Sequence, residues 1–180
     1  MAYYMEGVNR EPWDSSSEKA KELKISDFGT LEEVREMANP IRQVKSRLEA
    51  EKALENIISS NGTVKRSAVE LKSKKGLSVF LRRSSIGKLI SGIQEKGIPK
   101  EALWQAAANI DKLFVFSIEP WEFALNPNKN NVGLKNRRIL YAPMEYAERI
   151  LPVKLTVKEY FDPQVADKLY SIEVIDFDLK

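Results

Sequence analysis

Three observations predict an α+β fold: a helical N-terminal part followed by a twisted antiparallel β-sheet packed on two core helices. The first is the run "LPVKLTVKEY", Leu151 to Tyr160. Val153, Leu155 and Val157 alternate with Lys154, Thr156, Lys158 and Tyr160, the period of a strand with one apolar and one polar side. The second is a change of period near Thr63, with helical spacing before it and mostly strand-like runs after it. The third is the shortness of the connections among the last three such runs, which favours a meander.

The elements follow in chain order. Met1 to Phe28 shows no sustained period and carries a Ser run and several charges, which predicts a poorly ordered lead-in with one short helix near Glu18 to Leu23. Thr30 stands three residues before Glu33, the spacing of a capping box, so a short helix should run to Ala38. Asn39-Pro40 then restarts the chain, with Asn as N-cap and Pro at the first helical position. Ile41, Val44, Leu48 and Leu54 to Ile58 follow on a narrow apolar stripe that ends before "SSNG".

From Thr63, "TVKRSAVELK" and "GLSVFLRR" read as a hairpin joined by Lys-Ser-Lys-Lys-Gly. "SSIGKLISGIQEKG" reads as the first core helix, with Ser84 or Ser85 as N-cap. "KEALWQAAANIDKL" reads as the second, and "LFVFSI" leads out of it as a strand. One long loop spans "EPWEFALNPNKNNVGLKN". Strands are expected over 137–147, 150–161 and 168–178. The domain reading is an extension with helices over 1–62 and an α+β core over 63–180. Glu-Pro-Trp occurs at both Glu11 and Glu119, a recurrence attributed to chance.

A chain of 180 residues with 43% hydrophobic content can bury one proper core. Its apolar runs fall far short of the roughly 20 residues of a membrane helix, and the first residues hold no apolar signal-peptide core. A cytoplasmic location without membrane contact is the expectation. The absence of Cys and His excludes disulfides, thiolate nucleophiles, Cys/His zinc sites and His-based acid–base catalysis. No phosphate-binding glycine signature is present. The carboxylates from Glu145 to Asp178 are spaced like solvated strand edges, so no metal site is assigned and no cofactor is expected.

Charge is uneven. Between Asn61 and Lys100 there are ten basic residues against two acidic ones, Glu70 and Glu95, a balance that attracts a polyanion. Within it, "FLRRSSIGK" sets Arg82, Arg83, Ser84 and Ser85 at a strand-to-helix junction, with Lys88 one turn on. Free N–H groups at such a junction favour an anion. If the terminal sheet packs nearby, Arg137, Arg138, Tyr141, Lys154, Thr156, Lys158 and Tyr170 extend it into a basic face that tracks an RNA backbone. Lys or Tyr can also move a 2′-OH proton while Arg or Lys stabilises the phosphorane. The plainer alternative is that Ser85 is only an N-cap and the sheet face only wet.

"LSVFLRRSSIGKLISG", "ALWQAAANIDKLF", "RRILYAPMEY", "PVKLTVKEY" and "KLYSIEVID", in this order, resemble a phage and mobile-element domain. It is the large polyvalent protein-associated type found at the C-terminal end of MuF-like head-morphogenesis proteins. The resemblance runs from about Thr63 to Leu179 and is sharpest in "TVKE" followed by "LYSIE". It implies kinship with the barnase, EndoU, colicin and RelE-like ribonuclease fold. By that resemblance Lys88, Lys154, Thr156, Lys158 and Tyr170 fall on motif positions. The His that such domains carry near the position of Trp104 is missing here. The resemblance therefore implies either a degenerate, non-catalytic protein that binds RNA or a host or phage protein, or a metal-independent ribonuclease toxin. In the second case Lys88, Lys154, Lys158 and Tyr170 would be catalytic, and Arg82, Arg83, Ser85, Arg137, Arg138 and Thr156 would hold nucleic acid.

Overall fold

The computed structural model describes residues 10–59, 67–125 and 133–180. Its strands are β1 (Glu11–Pro12), β2 (Ala68–Lys72), β3 (Ser78–Arg82), β4 (Phe123–Ala124), β5 (Leu134–Tyr146), β6 (Arg149–Tyr160) and β7 (Lys168–Val174). Its α-helices are α1 (Ser16–Lys19), α2 (Leu31–Ala38), α3 (Arg47–Ser59), α4 (Ile86–Leu89), α5 (Lys100–Ala108) and α6 (Ile110–Val115). The turn "SSNG" from Ser60 on, the start of the first expected strand at Thr63 to Arg66, and the middle of the long loop at 126–132 lie outside the described residues.

The main sheet has the order β2-β3-β7-β6-β5. Strands β5, β6 and β7 form the expected meander, and β2 and β3 the expected hairpin. The β5–β6 turn is Ala147-Glu148, both at positive φ (51° and 64°), the left-handed twist that two-residue hairpin turns need. The expectation of an all-antiparallel sheet is corrected at one place: β3 joins β7 in parallel, where Phe80 pairs with Lys168 and its N–H donates to Asp167 O at 2.8 Å. The helical segment between β3 and β5 carries the chain across the sheet and returns it so that β7 runs the same way as β3.

One sheet face builds the larger core. Val153, Leu155 and Val157 point into it and meet Leu140 and Ala142 of β5 and Leu169 and Ile172 of β7. Helix α5 lies against them through Ala102, Leu103, Ala106 and Ala107, all fully buried; the alanines let the helix approach closely. Ala50, Leu54 and Ile58 of α3 belong to the same cluster, so the helices before residue 62 and the sheet after 63 share one core.

Several helices differ from expectation, each for a local reason. α2 runs as expected, and its capping box is complete: Glu33 N donates to Thr30 Oγ1 at 3.1 Å and Thr30 N to Glu33 Oε1 at 2.8 Å. α3 begins at Arg47 rather than Pro40, because Asn109 takes the backbone of the intervening segment. Its Oδ1 accepts from Ile41 N and Arg42 N at 2.9 and 2.8 Å, and its Nδ2 donates to Arg42 O at 2.9 Å. Asn109 also separates α5 from α6, and the expected strand "LFVFSI" is instead the end of α6 followed by one bridge, Ile118 to Tyr141. The first core helix shrinks to a 3-10 turn over Arg83–Ser85 and the four-residue α4. Beyond it Ile93 is exposed, and Gln94 lies along β7, where its Oε1 accepts from Val174 N at 2.7 Å.

The other sheet face holds the largest correction. Residues 1–9 lie outside the described residues, but from Arg10 the lead-in is ordered. It passes through 3-10 turns at Trp13–Ser15 and Ala20–Glu22 around α1, while β1 pairs in parallel with β4. Ala20 and Leu23 are buried with Phe123, Ile139, Tyr141, Ile175 and Leu179, and Trp13 and Trp121 pack against them. These contacts are irregularly spaced along the chain, so no period announces them.

Candidate anion-binding site

Register decides which side chains of the polar face meet. Across β5 and β6, Arg137 stands opposite Lys158, Ile139 opposite Thr156 and Tyr141 opposite Lys154. Across β6 and β7, Lys154 stands opposite Glu173 and Thr156 opposite Ser171. The next pair is Val157 with Leu169, so Tyr170 has no partner and forms a bulge. A bulge re-aims a side chain, and here it delivers the phenol ring to the side of Lys158 and Arg137.

Four cations gather there. Lys158 Nζ lies 3.7 Å and Lys88 Nζ 3.5 Å from the centre of the Tyr170 ring. The Arg137 guanidinium carbon lies 5.5 Å from the same ring and 4.4 Å from that of Trp13. Lys168 is close enough to act on the charge of Lys158. Among the described residues none of these four cations forms a salt bridge, so the positive field is not neutralised locally. Burial, together with Arg137, Lys88 and Lys168, pushes the Lys158 ammonium below the ordinary lysine range, against an opposing effect of Tyr170. The adjacent Lys88 ammonium, then the charges of Lys158 and Arg137, lower the Tyr170 phenol against the effect of burial.

The structure thus brings Lys88, Lys158, Tyr170 and Arg137 together. It places the other expected site residues elsewhere or under cover. Lys154, read as an exposed strand position, is buried: its Nζ donates to Ser16 Oγ and Ser17 Oγ, both at 2.9 Å, and lies 3.2 Å from a Glu173 carboxylate oxygen. Thr156 beside it is 2% exposed. Lys154 sits under the N-terminal segment, a cover that the polar alternation of β6 did not reveal. Tyr141 is buried as well, and its hydroxyl donates to Ser16 O at 2.7 Å.

The strand-to-helix junction does not form the expected anion pocket. Arg83 is paired with Glu55 and donates to Ser59 Oγ at 3.0 Å. Neither Ser84 nor Ser85 caps α4 through its side chain, and Ser85 is buried. Arg82 is exposed and lines a shallow pocket with Ala68 and Ser84. Arg138 points to the opposite side from Arg137 and is held by Glu119, with Nη2 2.6 Å from Oε1. It lines a separate cleft of about 580 Å³ with Asp27, Lys75 and Glu119.

The residue that sequence reasoning missed is Trp13. Its only signal was the shared Glu-Pro-Trp: both tryptophans pack on this face, and Trp121 meets the Tyr141 ring edge-on at 5.6 Å. Among the described residues no group of three or more carboxylates is placed to hold a metal ion, and no helix is long and apolar enough to cross a membrane. Comparison with family models, with curated proteins and with solved structures finds no match to this chain.

Proposed function

We propose that the chain is a non-catalytic, degenerate protein of the ribonuclease-like fold and of phage or mobile-element origin, and that it binds single-stranded nucleic acid in the cytoplasm. The observation that carries the binding reading is the convergence of Lys88, Lys158 and Arg137 on the Tyr170 ring with no carboxylate partner among the described residues. Such a cluster attracts phosphate wherever the polymer presents it, without reading base sequence. The origin and the fold kinship rest on the ordered motifs of the sequence. Titrating a labelled single-stranded RNA with the protein, and with the Lys88→Ala/Lys158→Ala double variant, tests the reading. Tight, salt-sensitive binding that the double variant loses is the expected result. Equal affinity of the two proteins would remove the cluster from the function, and preference for a polyglutamate competitor over RNA would point to an acidic protein partner instead.

A second reading, a metal-independent ribonuclease, is favoured by one observation: Lys158 Nζ lies 3.7 Å from the centre of the Tyr170 ring, in surroundings that lower both the ammonium and the phenol. One group can take the 2′-OH proton and the other can protonate the leaving oxygen, while Arg137 or Lys88 stabilises the phosphorane. Incubating RNA with the protein in the presence of a chelator separates the readings. Cleavage that Tyr170→Phe abolishes supports the enzyme, and intact RNA supports the binder.

A further inference from the structure

The cation cluster has a second wall, supplied by the N-terminal segment. Trp13 lies against Arg137, and two donors at this contact, the indole N–H of Trp13 and Nε–H of Arg137, are buried with no acceptor among the described residues. Buried donors without a partner are rare and costly. Here two of them meet within one contact, beside a cluster already rich in unpaired positive charge.

The segment is fastened unevenly. Its later half is held by the Tyr141 hydroxyl on Ser16 O, by Lys154 on Ser16 and Ser17, and by the buried Ala20 and Leu23. Its earlier half is held by the two-residue pairing of β1 with β4, by exposed contacts of Arg10 with Glu122 and of Glu11 with Lys19 and Ser15, and by the packing of Trp13; Glu11 and Pro12 are themselves exposed. Movement of the Trp13 end about Ser15 exchanges these surface contacts and leaves the anchors from Ser16 onward in place.

We propose that Trp13 and Arg137 form the second jaw of a phosphate clamp. A phosphate of single-stranded RNA enters between the N-terminal segment and the sheet, and Trp13 swings outward about Ser15. The two orphan N–H donors then take phosphate oxygens that Lys88 and Lys158 hold from the other side. This rests on the reading of the cluster as a nucleic-acid site and adds how the ligand is gripped. Two ammoniums and a guanidinium already stand against the Tyr170 ring, so the ring is not a stacking platform for a base, and recognition goes through phosphate.

Trp13→Phe keeps an aromatic ring against Arg137 while it removes the N–H and part of the bulk of the indole. It is expected to weaken binding of a uridine-rich single-stranded RNA by about three- to tenfold, the effect of one lost hydrogen bond, while the thermal midpoint falls only by the packing that the smaller ring gives up and the protein stays folded at the assay temperature. In the unaltered protein, amide hydrogen exchange over 13–17 is expected to change when that RNA is added. Equal affinity for oligonucleotides with and without a 5′-phosphate assigns the clamp to backbone phosphates, and tighter binding of the phosphorylated one assigns it to the terminus; in either case Trp13→Phe must bind more weakly than the unaltered protein. Wild-type affinity of Trp13→Phe together with unchanged exchange overturns the clamp. If the Lys88→Ala/Lys158→Ala variant still loses binding in that case, the cluster reading stands; if it does not, both fail.

Discussion

The ammonium of Lys154 lies 3.2 Å from a carboxylate oxygen of Glu173, across facing positions of β6 and β7 and beneath the Ser16-Ser17 turn. The side chains are 7% and 22% exposed, so the pair sits largely out of water. A lysine in the polar row of a strand is here a structural post for the N-terminal segment.

Lys154→Ala is therefore expected to destabilise the protein by about 3 kcal/mol, near the low end for breaking a buried pair, because Glu173 keeps some contact with water. Urea denaturation measures this. A double-mutant cycle with Glu173→Gln should return a coupling energy well above the value of an exposed pair. A loss under about 0.5 kcal/mol would show that Lys154 is solvated in solution and the segment is not seated on it. Leu155→Ala, one residue on and facing the larger core, should cost about 2 to 5 kcal/mol through a cavity.

Lys88 and Lys158 should behave in the opposite way. Neither forms a salt bridge among the described residues, so Lys88→Ala and Lys158→Ala should leave the denaturation midpoint nearly unchanged. Each should weaken RNA binding and reduce the slope of log affinity against log salt by roughly 0.7, the contribution of one single-strand phosphate. Affinity measured at several salt concentrations decides it. A parallel shift of the line with unchanged slope would mean that these ammoniums contact no phosphate.

How much of this was legible follows from particular residues. The faces of β6 were readable because Val153, Leu155 and Val157 keep a strict period of two, and α2 because Thr30 and Glu33 keep capping-box spacing. The site was half legible: Lys88, Lys158, Arg137 and Tyr170 stood in recognisable runs, but only the bulge at Tyr170 and the pairing of Arg137 with Lys158 make them one cluster. Lys154 and Thr156 were misplaced because strand alternation says which side a residue faces, and nothing about what later covers that side. The cover has no period to read. Its buried residues, Ser16, Ala20 and Leu23, come from short turns whose position is set by tertiary contacts.

Asn109 shows the same tertiary override. It is 1% exposed and serves four backbone groups, those of Ile41, Arg42 (twice) and Gln105. Asn109→Ala should cost at least about 2 kcal/mol, since it strands buried donors and acceptors rather than exchanging them with water. The circular-dichroism signal of the folded protein should keep its helical content. A gain of helix with little loss of stability would mean that residues 40–46 prefer the helix their Asn-Pro start announces.

The last expectation concerns pH. Burial and the neighbouring cations hold the Lys158 ammonium below the ordinary lysine range, and the adjacent Lys88 ammonium lowers the Tyr170 phenol. Raising pH therefore removes a positive charge from the cluster and adds a negative one before isolated side chains would titrate, and both changes repel a polyanion. RNA affinity at constant ionic strength should start to fall before the pH at which free lysine and tyrosine side chains titrate is reached. Lys158→Arg, which stays charged throughout, should move the fall to higher pH, and Tyr170→Phe should make it shallower. Acidification only protonates both groups further and no His is present to titrate, so binding should not weaken as the pH is lowered through neutrality. A fall in affinity across neutral pH would contradict the assignment of these two side chains to the site.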